Sequence, residues 1–167
     1  GTPQIYAADL PERIDRAERE IEIFKDRDVP DIFWYDEKLR YTLVKANGRA
    51  PLIFNIAGTA ASNISEKMVM MERAFSQAGF HVVSIPSPTH PNFIVSASLS
   101  RIPGLLGEDA ADLYRVMQRI YHEVKSEIDV SGFMLTGYSL GATQAAFVSK
   151  LDKSQKVFGF RKVLMIN

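Results

Sequence analysis

Cysteine is absent from the 167-residue chain. That excludes a disulfide framework, a thiolate metal site and a cysteine nucleophile. Only three histidines are present, too few for a His-rich metal centre. An excess of one charge is missing too: 20 Lys+Arg stand against 20 Asp+Glu, a formal net charge of zero. Nucleic-acid binders carry a clustered basic excess, so this balance argues against one. No apolar run approaches the roughly 20 residues of a bilayer-spanning helix. Gly1-Thr2-Pro3-Gln4 lacks both an initiator Met and a basic-then-apolar leader. We expect a processed or trimmed start, left by a removed export signal or a cut tag, and a periplasmic or otherwise exported location ahead of the cytoplasm. Repeats, low-complexity tracts and Gly/Ser/Pro linkers are all missing, which points to a single domain over residues 1–167.

At 46% hydrophobic and 24% charged residues, the chain has the composition of a globular protein. This length buries about 70% of the unfolded surface, enough for one core. Asp9, with Glu12 three residues on and Pro11 in the first turn, reads as a helix start. Leu10, Ile14, Ala17, Ile21 and Phe24 then follow a 4-3-4-3 spacing, the stripe of an amphipathic N-terminal helix within residues 1–28. That stripe suits docking on the domain's own sheet, or a helix-mediated contact with a protein partner through residues 9–24. The sheet core is expected over residues 29–167.

Ile32-Phe33-Trp34-Tyr35 predicts a strand, Asp36-Glu37-Lys38 a turn and Leu39 to Lys45 a second strand, together a hairpin. Asn47-Gly48 marks a turn. Pro51 to Ala57 is nearly continuously apolar, as in a strand buried on both faces. Helix and strand then alternate. Ser62 or Asn63 caps a helix carrying Ile64, Met68, Met71, Phe75 and Ala78 on one face, and Gly79 closes it. Its methionines (Met68, Met70, Met71) read as core packing rather than an adaptable binding surface. Phe80–Ile85 is a strand, Glu108–Glu127 a long amphipathic helix, Phe133–Thr136 a strand, Ala142–Leu151 a helix and Lys162–Ile166 a last strand. This order predicts an α/β fold: a mostly parallel sheet with helices on both faces and an antiparallel hairpin at its start. Ligands in such sheets collect at the carboxyl ends of the strands.

There stands Gly137-Tyr138-Ser139-Leu140-Gly141, a G-x-S-x-G pattern between a strand and an Ala-rich helix. A serine hydroxyl attacks well only when a sharp turn presents it and a base activates it. Gly137 and Gly141 would make room for the crossing backbones, and the helix N-terminus would aim the Leu140 N–H at an oxyanion. The bland alternative is a tight turn whose serine caps the helix.

On these residues the chain, from about Ile32 to Asn167, resembles the α/β-hydrolase superfamily. The resemblance implies Ser139 as nucleophile, no metal or organic cofactor, and a small-molecule acyl substrate. It also implies a second oxyanion N–H from the loop after the Ile53–Ala57 strand. There the family's His-Gly-x reads Ala57-Gly58-Thr59, which makes Thr59 the donor with Ala60 as fallback, beside Gly58. The family's acid and His follow the serine in sequence, yet no His follows Ser139. The chain is therefore the N-terminal portion of a longer hydrolase, or uses an unconventional base, or is a non-catalytic ligand- or partner-binding domain. His81 is read as packing at the amino end of its strand and His122 as helix surface. His90, past the carboxyl end of Phe80–Ile85, is a candidate for the site rim. Asp109 and Asp112 suit a helix first turn. The apolar stretch from Pro88 to Gly107 reads as a lid or acyl-chain wall, or as packing on the sheet.

Overall fold

The computed structural model describes residues 16–167. Six strands form one sheet in the order β1-β2-β4-β3-β5-β6: β1 Arg16–Ile21, β2 Leu39–Val44, β3 Arg49–Ile56, β4 His81–Ile85, β5 Asp129–Tyr138 and β6 Lys162–Ile166. β3 runs parallel to β4 and β5, and β5 to β6. β2 is antiparallel to both β1 and β4. The expected mostly parallel sheet with an antiparallel start is present, but its first strand is a different segment.

The amphipathic helix does not form in its described part. Residues Arg16–Ile21 pair in register with Val44–Leu39, while the segment from Asp9 to residue 15 lies outside the described residues. The four-residue step from Ala17 to Ile21 fits the period of two as well as that of 3.6. A strand partner decides between them: Ala17, Arg19 and Ile21 face the side that carries Leu43, Tyr41 and Leu39. Ile32–Tyr35 is not a strand either. Asp31–Asp36 is a 3-10 helix after Pro30, opened by the Phe33 N–H donating to the Pro30 carbonyl at 2.7 Å. Its aromatic residues suit a strand, but among the described residues no neighbouring strand pairs with them.

Helices α1 (Glu66–Gln77), α2 (Pro91–Ser96), α3 (Leu106–Val124) and α4 (Leu140–Gln155) complete the fold. α1 begins at Ser65, later than expected, because Asn63 instead donates to the Thr42 hydroxyl at 2.9 Å. Side-chain alternation places the helices on opposite faces. Val44, Ile53 and Val82 meet Phe75 of α1. The alternate residues Leu43, Leu52, Phe54, Val83 and Leu135 join Leu113, Met117 and Ile120 of α3 with Ala145 and Val148 of α4. No helix among the described residues is long and apolar enough to cross a membrane.

Candidate active site

β5 runs directly into α4, and Ser139 is the single residue between them. Its φ of 53° and ψ of −124° lie in a region that L residues rarely enter. The backbone is held there by neighbours on both sides. The Ser139 N–H donates to the Ile166 carbonyl at 2.9 Å, and the Ser139 carbonyl accepts from Ala142 at 2.9 Å. Two glycines permit the crossing. A Cβ on Gly137 would collide with the Gly141 carbonyl, and one on Gly141 would collide with that of Ile56 and lie 2.7 Å from that of Ala57. The spacing of the motif is thus a packing rule: strand, turn and helix approach closer than any side chain allows.

The hydroxyl of Ser139 does not cap α4, so the bland reading of the motif is not what forms. The residue is exposed, and no acidic residue occupies the helix's first turn. The Leu140 N–H belongs to the first helical residue, has no intrahelical acceptor and bonds to nothing else among the described residues. The partial positive charge of the helix end is therefore left open for an anion.

The loop after β3 lies alongside. A Cβ on Gly58 would stand 2.6 Å from the Tyr138 ring, so the loop passes against the residue preceding the serine. Ala60 takes a left-handed φ of 55°, and its N–H donates to the Thr89 hydroxyl at 2.8 Å. That bond removes the fallback donor, whereas the Thr59 N–H makes no hydrogen bond among the described residues. Thr89 is itself fixed by the Ser87 hydroxyl at 2.8 Å, and the Ser87 N–H reaches the Ala61 carbonyl at 3.0 Å. The sequence reading missed both residues. Their role rests on contacts 26 to 29 positions apart, for which no local pattern exists.

A cavity of about 330 Å³ opens at Tyr138 and Ser139, walled by Met70, Met71 and Phe75 of α1 and by Leu164 and Ile166 of β6. The Lys67 ammonium stands 4.9 Å above the Tyr138 ring at its mouth. The methionine helix therefore divides its residues. Met68 is fully buried, while Met70 is 41% exposed and faces the cavity.

No histidine reaches the serine. His81 is buried, with Nδ1 accepting from Ala46 at 2.9 Å and Nε2 at 3.0 Å from the Asp129 carbonyl. His122 is exposed on α3. His90 caps α2, its Nδ1 accepting from Asn92 at 3.2 Å. It lines a different cavity, of about 670 Å³, together with Arg40, Asn63 and Glu20. Burial, then Arg40, push the His90 ring below its ordinary pKa against the pull of Asp36. Asp109 and Asp112 are nearly fully buried. They accept from Gly104 and Leu99 respectively, both at 2.9 Å, which ties the 97–105 segment to α3.

No family model matches the chain and no curated protein does. Solved structures do. A novel cold-adapted esterase from an Arctic intertidal metagenomic library superposes with TM-score 0.63 at 14% identity, covering 90% of this chain and 59% of that one. A thermophilic and thermostable carboxylesterase cloned from a metagenomic library gives 0.64 at 18%, covering 95% and 48%. A thermostable carboxyl esterase from Bacillus coagulans gives 0.59 at 15%, covering 90% and 43%. These neighbours have the α/β-hydrolase fold, and this chain shares it over roughly half of their length.

Proposed function

We propose that this chain is the nucleophile-bearing part of a serine hydrolase that cleaves an ester, thioester or amide through an acyl-enzyme on Ser139. The observation that carries the reading is the uncapped, exposed Ser139 on its strained turn, flanked by the unbonded N–H groups of Leu140 and Thr59. Esterase neighbours of the same fold support it. The Ser139 oxygen adds to the acyl carbon, and its proton passes to a base. The carbonyl oxygen becomes an oxyanion facing the two N–H groups, each donor worth about 3–4 kcal/mol in comparable sites. Collapse expels the alcohol, thiol or amine after it takes up that proton, and water then repeats the sequence to free the acid. The apolar lining beside Ser139 suits an apolar group next to the scissile bond.

In this reading the base and its orienting acid come from outside these 167 residues, since His81 and His90 are held in other contacts and His122 is exposed on α3. That same observation sustains a second reading, a hydrolase-like domain that binds a ligand or partner without turning it over. A fluorophosphonate probe separates them. The full-length protein is expected to label at Ser139, and Ser139→Ala to abolish labelling. The 167-residue chain is expected to hydrolyse p-nitrophenyl esters slowly or not at all. A full-length protein that resists the probe overturns the enzymatic reading.

A further inference from the structure

Away from Ser139, at the carboxyl end of β4, two adjoining cavities share Arg101. The first, about 460 Å³, is lined by Lys25, Arg27 and Arg101 beside Phe24 and Leu99, with no carboxylate in its wall. The second, about 340 Å³, is an apolar trough of Pro30, Phe33, Ile94 and Val95. Asp26 and Asp28 flank Arg27 in the chain, but neither lines the cavity. Arg27 bonds the Ser98 carbonyl at 2.6 Å and Arg101 bonds that of Asp28. Both are thus held by neutral acceptors, and neither forms an ion pair among the described residues. Burial and the nearby Arg101 lower the Arg27 pKa, with Asp112 opposing and Arg115 adding. No carboxylate pairs directly with either guanidinium among the described residues, and Asp112 acts on Arg27 only from beyond ion-pair distance.

Around this cleft the surface is apolar. Phe33 turns toward the trough, while Ile32 and Trp34 are 72% and 71% exposed, with Tyr35, Leu99 and Ile102 also exposed. The 86–107 segment that forms the far side carries Arg101 as its only Lys, Arg, Asp or Glu. Exposed apolar patches rarely persist without a partner. Trp and Tyr standing clear of the surface beside unneutralised cations match the lipid–water boundary, where such rings settle and anionic headgroups attract Arg and Lys.

We propose that this face docks on an anionic phospholipid surface. A headgroup phosphate lies between Arg27 and Arg101, an acyl chain enters the Phe33–Ile94 trough, and Ile32, Trp34 and Tyr35 sink into the interface. The 3-10 helix and α2 stand at the same end of the sheet as Ser139, so docking would turn the candidate active-site rim toward the membrane. The proposal is independent of whether Ser139 reacts.

Trp34 is the only tryptophan, which makes it a built-in reporter. The 167-residue protein is titrated with vesicles of phosphatidylcholine containing 30% phosphatidylglycerol and with pure phosphatidylcholine. Expected are co-sedimentation with the anionic vesicles, a shift of Trp34 emission to shorter wavelength, and much weaker binding to the neutral ones. Arg27→Gln with Arg101→Gln should weaken binding about 30-fold, roughly fivefold per cation. Trp34→Ala, an exposed change that leaves the hydrogen bonds intact, should weaken it as well, and Ser139→Ala should not. Circular dichroism checks that each variant is folded. Failure to bind anionic vesicles, an unmoved Trp34 spectrum, or indifference to the arginine changes overturns the proposal. Release by millimolar inorganic phosphate at constant ionic strength also overturns it, in favour of a free-anion site.

Discussion

On the side of the sheet covered by α3 and α4, fully buried residues run without a break from Leu39 through Phe54 to Leu135 and continue into both helices. On the other side α1 is the only helix among the described residues. Its apolar contacts are few, and a row of polar residues crosses the strands in register: Thr42, Ser84, Asn55 and Thr136, all fully buried. Beyond Thr136 the floor opens at Leu164, 49% exposed. The first face is a completed core. The second combines a buried polar row under α1, in which the Asn55 Oδ1 has no hydrogen-bond partner among the described residues and Arg16 holds the buried Glu72 carboxylate at 3.0 Å, with an uncovered apolar strip that begins at the serine. A parallel sheet is normally covered on both faces. The difference shows where stability resides and where surface is left over for contact.

Truncation gives the largest contrast between the faces. Leu135→Ala, on the completed side, should cost about 3 kcal/mol in urea unfolding. Leu164→Ala, on the neighbouring strand β6 but facing the open side, should stay within about 0.5 kcal/mol. Equal losses would mean that the strip near β6 is covered in solution.

Glu72 sharpens the comparison through pH. Burial, opposed by Ser84 and Arg16, pushes its carboxyl above the ordinary carboxylate value. The folded state therefore holds the proton more tightly than the unfolded chain. The cost of keeping Glu72 charged is absent below the ordinary carboxylate range and grows as pH rises through the elevated folded value. Unfolding of Glu72→Gln against the parent from pH 4 to pH 8 should show the balance moving toward Gln as pH rises.

The smallest effect belongs to the rim of the completed side. Glu127 accepts from Arg19 and Lys45 at 2.7 Å. Those hydrogen bonds, Arg19's first, pull its pKa down to about 2. The stabilisation is present above the ordinary value near 4.5 and fades as pH falls from there toward 2. The group is solvent-exposed, so Glu127→Gln should cost only about 0.5–1 kcal/mol at neutral pH, and less in high salt.

The parts of this architecture that could be read from the chain are those encoded locally. Lys162–Ile166, the Phe80–Ile85 region and the long stripe of α3 carry their periodicity on their faces. Gly137 and Gly141 record a backbone crossing that no side chain permits. The failures share one cause. Ala17 and Ile21, or Ile32 to Tyr35, have patterns that two local structures satisfy equally, and only a distant partner, or the lack of one, selects between them. Thr89 supporting Ala60, and Lys67 over Tyr138, are contacts between segments far apart in sequence, invisible until the sheet brings them together.

The hydrogen bond from Ser139 to Ile166 carries a mechanical consequence. β6 is the terminal strand of the sheet among the described residues, yet its last carbonyl anchors the amide of the kinked serine. Whatever clamps the free border of that strand also stiffens the Ser139 turn, and whatever frays it lets the hydroxyl wander. Presentation of the Ser139 hydroxyl is thus tied to how well the margin of the sheet is braced.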